Sequence, residues 1–227
     1  MSPTAQPEPA EPLLAAALLA ATGGLLDAFV YLNHGHVFAN AMTGNVVLLG
    51  ISVLDRDPNQ AVRHLAPLGA FFCGVLTSRF VRDRLGHRAR FYGILLEISV
   101  LLFASLLPGG FPEMAYTGLI AFVASYQITS FRRVGGLSYS STFVTGNLRD
   151  MAVGLYDASA PLDPDTGVGQ RRISLQNARS LGLICLSFLI GVTAGAFSAP
   201  RLANHTLWLA EPPLIAVLLL LYSAKKR

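Results

Sequence analysis

The residues best suited to chemistry in this chain fall into a pattern that occurs twice. Val37-Phe38-Ala39-Asn40-Ala41-Met42-Thr43-Gly44-Asn45 and Tyr139-Ser140-Ser141-Thr142-Phe143-Val144-Thr145-Gly146-Asn147 both end in Thr-Gly-Asn, and each follows a long apolar segment. Asp27 lies well inside the first of those segments, and Gln127 is its counterpart before the second by spacing to the motif. An acidic side chain at such depth costs on the order of 3 kcal/mol on insertion scales, so Asp27 is expected to face the bundle interior, a pathway, or a partner such as Arg79. Glycine in front of asparagine permits a tight turn with unusual backbone angles, and Thr and Asn are favoured caps for the short helices expected over 46–54 and 148–155. Helices of that length reach about halfway through a bilayer. Entering from opposite faces, they would point their N-termini at one another near the midplane, where partial positive charge suits an anionic or polar solute. The candidate pathway residues are therefore Asp27, Thr43, Gly44, Asn45, Gln127, Thr145, Gly146 and Asn147.

Other reactive residue types point to less. Glu97 and Glu211 occupy corresponding places in the two halves and are expected near helix starts, in structural or interfacial roles. His34, His36, His64 and His205 are expected at the surface, and Cys73 and Cys185 as small buried hydrophobes, so no metal site is assigned. There is no Gly-x-Ser-x-Gly, no His-Glu-x-x-His and no Walker-type phosphate loop, which argues against an enzyme and against a resident cofactor.

The elements that must position these residues are membrane spans. Of 227 residues 52% are hydrophobic and only 13% charged, and the mean hydropathy is +0.51. A soluble domain carries about twice that share of charge. Apolar runs predict spans at 13–32, 65–81, 91–107, 116–131, 181–199 and 207–222, with residues 1–12 a disordered tail and 157–172 a surface loop. The similarity of the halves extends beyond the motifs: Gly74 with Ser78 corresponds to Gly191 with Gly195, small residues four apart that suit close helix packing. Residues 13–107 and 108–227 are thus two repeats of three spans plus a short helix.

Three spans per repeat force the halves to enter the membrane in opposite senses, and the charges agree. Of the 17 basic residues, only Arg56, Arg63 and Arg201 fall on the side opposite the termini. The positive-inside rule then puts both termini in the cytoplasm, with the chain in the cell (inner) membrane. A net charge of +4 reflects cytoplasmic loops facing anionic lipid, with no need to invoke nucleic acid.

These residues, from Gly24 to Ala28, Phe38 to Asn45, Gln127 and Thr142 to Leu148, resemble the YoaK family of six-helix integral membrane proteins, built on a domain of unknown function. The resemblance covers nearly the whole chain and implies a multi-pass membrane protein without an assigned substrate. The expectation is an all-α integral membrane protein of six transmembrane helices in two inverted repeats, whose partners are the lipid bilayer and a small solute passing between the halves. A membrane scaffold without transport activity and a membrane-embedded enzyme are the alternatives. One prediction follows from the charge distribution: a reporter fused after Arg227 reads cytoplasmic and one in the 108–112 loop reads external. Both reporters on one side would leave an even number of spans between them and remove the inverted arrangement.

Overall fold

The computed structural model describes residues 12–134, 136–159 and 167–224. The expected disordered tail (apart from Pro12), much of the 157–172 loop and the basic residues 225–227 lie outside them. Among the described residues the regular structure is helical except for one two-stranded hairpin. In order it forms α1 (Leu13–Asn33), α2 (Met42–Leu54), α3 (Pro58–Leu85), α4 (Arg88–Ser105), α5 (Glu113–Ser130), β1 (Arg133–Val134), β2 (Leu137–Ser138), α6 (Val144–Ser159), α7 (Gly167–Leu202), a 3₁₀ segment (Ala203–Ala210) and α8 (Glu211–Ala224). The hairpin, which pairs Arg133 with Ser138 in antiparallel register, has no counterpart in the apolar pattern.

Helix boundaries follow local chemistry. Asp57 caps α3 by accepting from the Gln60 amide at 3.0 Å, and Pro58 sits at the first helical position, where its missing N–H is of no consequence. α3 therefore begins two turns before the apolar run does. At its other end Arg82 and Arg84 meet the negative end of the helix dipole, and Gly86 turns the chain with φ +57°. Only Gly86 and His87 separate α3 from α4, so residues 82–90, which fall between the expected spans, are mostly helix. Likewise α7 starts at Gly167, well inside the stretch expected as a loop.

Among the described residues three stretches are long and apolar enough to cross a membrane by length and composition: α1, α3 and the continuous run Gly169–Ser223 through α7 and α8. α4 and α5, at 18 residues each, rise about 27 Å but carry Arg88, Arg90 and Glu97 in one and Glu113 and Gln127 in the other. α1 is the hub: 72% of its apolar window is buried, against 22% for α3 and for the α7–α8 run. The outer faces of α3 and α7 carry Phe72, Leu76, Phe80, Leu189, Ile190 and Phe197 exposed, an apolar surface suited to lipid rather than water. Cys73 belongs to that exposed face and not to the interior, while Cys185 is half-buried; both thiols are free.

Packing crosses between the halves: α7 lies along α1, and α3 along α5. Small residues make this possible. A Cβ on Gly191 would overlap the Ala21 carbonyl, one on Gly24 the Phe188 carbonyl, and one on Gly195 would lie 2.6 Å from the Leu25 carbonyl oxygen. On the other pair, a Cβ on Gly74 would overlap Ser125 and the Phe122 carbonyl. α4 and α8 pack on each other, α4 also against α5 and α8 also against α1, while α2 and α6 lie against α3 and α7 respectively. Gly191→Ala and Gly74→Ala should each lower stability by ~1–3 kcal/mol through backbone displacement. Gly50→Ala, in the interior of α2 with open space around it, should raise stability by about 0.5–1 kcal/mol. Thermal melts in detergent check all three, and equal melting of the parent and Gly191→Ala would mean that α1 and α7 are not in backbone contact.

Candidate functional site

The two motifs are built alike, though not as helix caps. α2 and α6 both begin three residues before the motif asparagine, at Met42 and Val144, so Thr43, Gly44 and Asn45, like Thr145, Gly146 and Asn147, already lie in the first helical turn. The residue preceding α2, Ala41, makes no side-chain cap. Each asparagine instead reaches back seven residues to brace the loop ahead of its helix. Asn45 accepts from the Phe38 amide and donates to the Phe38 carbonyl, both at 2.8 Å. Asn147 does the same at Ser140, accepting at 3.1 Å and donating at 2.7 Å. A primary amide is the side chain that offers one donor and one acceptor side by side, matching a peptide group.

The glycines have lost the role their position suggests. Neither Gly44 nor Gly146 adopts a positive φ. A Cβ on Gly44 would come within 2.9 Å of the Phe38 ring, so glycine there serves close packing, whereas Gly146 has open space beside it. Thr43 and Thr145 are exposed, turned away from the buried asparagines.

The braced loops meet at α1. Asn40 donates its backbone N–H to Asp27 Oδ1 at 2.7 Å and its side-chain amide to the Gly23 carbonyl at 3.1 Å. Asp27 is thus engaged by the loop of its own half, and Arg79 pairs instead with Asp83 at 3.6 Å. From the other half, Thr142 packs so tightly against Gly23 that a Cβ on that glycine would lie 2.6 Å from the Thr142 methyl. Gln127 makes the matching connection: with its amide oxygen towards Ser141 Oγ, 3.4 Å away, its nitrogen donates to both oxygens of Glu97 at 2.7 and 3.0 Å. Among the predicted residues, Asp27, Asn45, Gln127 and Asn147 are therefore buried and bound to the two loops, while the two threonines and Gly146 stand apart.

Asn40, Ser141, Thr142 and Glu97 complete the cluster and were not among the predicted residues. Asn40 and Thr142 share a signal, since each lies five residues before its motif asparagine and each is polar. Their Oδ1 and Oγ1 atoms are buried and lack a hydrogen-bond partner. Glu97 departs from the expectation of a helix start. Because α4 opens at Arg88, the carboxylate falls near mid-helix and is fully buried. Glu211 does open α8, yet it too is buried.

The bundle ends are tied differently. Where α1 finishes and α5 begins, His34 Nδ1 lies 3.0 Å from Glu113 Oε2 and the ring stacks on Tyr116, with centroids 3.9 Å apart. Burial holds this imidazole below the ordinary histidine range against the opposing pull of Glu113. His34 and His64 are both buried rather than at the surface, and Tyr116 belongs to the core. Nearby, Asn33 donates to the Ala199 carbonyl and Asn204 to the Leu107 carbonyl. At the opposite end Ser78 and Ser130 hydroxyls pair at 3.0 Å, and Arg90 donates to the Ser130 carbonyl.

The asparagine braces are testable by symmetry. Asn45→Ala and Asn147→Ala should each cost about 1–3 kcal/mol, because a loop amide and carbonyl lose their partner. Asn45→Asp should not rescue, since a carboxylate can accept from Phe38 but cannot donate to it. Thermal melts of the purified variants check this, and a strong effect at one asparagine with none at the other would break the equivalence of the loops.

Comparison with known proteins agrees with this architecture. The family described as "Protein of unknown function (DUF1275)" matches residues 15–220. The chain is 27% identical over 215 residues to the "UPF0700 transmembrane protein YoaK" of Bacillus subtilis (strain 168), covering 92% of each chain. No solved structure matches. With a match spanning nearly all of its length, an all-helical fold and a transmembrane relative, the chain belongs to the family of proteins of unknown function DUF1275.

Proposed function

We propose that this protein is a small-solute transporter or channel whose six spans form two inverted repeats, with the pathway between them. The observation that carries the reading is the meeting of the two motif loops at Gly23, where Asn40 Oδ1 and Thr142 Oγ1 are buried without partners. Polar atoms left unsatisfied in an apolar interior cost about 1–3 kcal/mol each, and a polar solute passing between the loops would satisfy them. Irregular backbone at membrane depth is tolerated where it is buried in protein or lines such a passage.

Equivalent contacts in the two halves support the inverted arrangement. Asn45 and Asn147 brace at the same spacing, Asp27 and Gln127 each hold the loop of their own half, and Gly74 and Gly191 each pack on the first span of the other half. This reading puts both termini in the cytoplasm of a cell (inner) membrane, gives the protein no nucleic-acid partner and assigns it no enzymatic turnover. As for the solute, the helix N-termini favour negative charge, but Asp27 beside them opposes it. Neutral hydrogen-bonding or cationic solutes fit better than anions.

A second reading has its own support. Both motif asparagines are fully occupied by their loops, as a pure scaffold would require. Liposome flux assays across amino acids, organic anions, cations and neutral polar solutes separate the two. For a transporter, Asp27→Asn and Thr142→Val reduce flux about tenfold or more while melting like the parent, since both keep shape; tenfold corresponds to about 1.4 kcal/mol in the barrier. A stable parent protein that moves none of these solutes leaves the scaffold.

A further inference from the structure

Beyond the pathway, the core holds two carboxyl groups that no cation among the described residues pairs with. Glu97, near the middle of α4, is fully buried, and Glu211, at the start of α8, is 7% exposed. α4 and α8 pack against each other, and Glu97 lies within electrostatic reach of Glu211. The Gln127 amide from α5 covers both Glu97 oxygens at 2.7 and 3.0 Å. Both oxygens of Glu211 are buried without any hydrogen-bond partner.

We propose that Glu97 and Glu211 form a proton-binding carboxyl pair, capped by the Gln127 amide, that holds at least one proton in the folded protein. The inference goes beyond the transport reading and stands without it.

The argument is one of charge balance. Two ionised carboxylates buried in an apolar interior within electrostatic reach of each other are far too costly unless a cation or a proton neutralises them. Among the described residues no ion pair joins a cation to either carboxyl group, and the two carboxylates act on each other. From α5, Gln127 faces Glu97; α1, which also packs on α8, carries one charged group, Asp27, already bound by the Asn40 amide, and Tyr31, whose ring stacks on Phe38. The 3₁₀ segment brings Trp208, whose indole donates to Ser105, and an exposed His205. Arg90, the nearest base on α4 itself, donates to the Ser130 carbonyl. The dipole at the start of α8 favours the anion at Glu211, which leaves Glu97, mid-helix, as the seat of the proton.

Infrared spectroscopy on the protein in nanodiscs reads this directly, without any flux measurement. With Asp27→Asn as the parent background, which removes the third buried carboxyl, the protein at neutral pH should show the carbonyl stretch of a protonated carboxylic acid, lost on adding Glu97→Gln/Glu211→Gln and kept on adding Asp83→Asn, a surface control. The melting temperature of the parent should fall as pH rises, because only the folded state binds that proton, and the double variant should melt independently of pH over the same range. Glutamine mimics the protonated acid, so Glu97→Gln must fold; a variant that cannot be purified counts against the pair. Absence of the acid band at neutral pH, its persistence in the double variant, or a melting temperature that follows sodium or potassium instead of pH would each overturn the proposal, the last by placing a metal cation where the proton is assigned.

Discussion

A peptide group removed from water must find a partner within the protein, and this fold has two places where the backbone leaves its helices among apolar surroundings. Both are the loops ahead of the Thr-Gly-Asn helices. Each solves the problem with a side chain: Asn45 supplies a donor and an acceptor to Phe38, and Asn147 does so for Ser140. Asp27 satisfies a further amide at Asn40. Without these partners the buried loops would leave peptide groups unsatisfied where they meet α1.

Everything central in the molecule follows from that bend. The loops rest on Gly23, which has no side chain to hold them off, while Gly24, Gly191 and Gly195 let α7 lie against the same helix. α1 is consequently buried over most of its length by apolar and small residues, and its own Asp27 is met there by the loop of its half. The same enclosure leaves Glu97 and Glu211 without solvent or base. One economy of construction, small residues on the first span and amide braces behind it, thus generates both the junction of the loops and the buried carboxyl pair.

Much of this was legible in the sequence, and the remainder was hidden for definable reasons. Apolar runs located every helix of the bundle because membrane-suited segments need no partner to be recognised. The small residues at 74 and 191 marked close packing correctly, since four-residue spacing is a property of one helix. Thr43 and Asn45 were read as caps because capping is local, whereas the brace on Phe38 is a tertiary contact between a helix and a loop. Glu97 was placed too near a helix start because the arginines around it suggested a loop; charged residues at the end of a membrane helix continue it as readily as they terminate it. The burial of His34 depends on Glu113, 79 positions away, and no spacing rule reaches that far.

The most direct test of the account is amide hydrogen exchange, measured segment by segment on the protein in nanodiscs. If side-chain braces satisfy the irregular backbone, segments 37–41 and 139–143 exchange as slowly as the helices beside them. The Asn45→Ala change then accelerates the first segment while sparing the second. Exchange in both segments at the rate of a solvated loop in the parent protein, unaltered by the substitution, would contradict it.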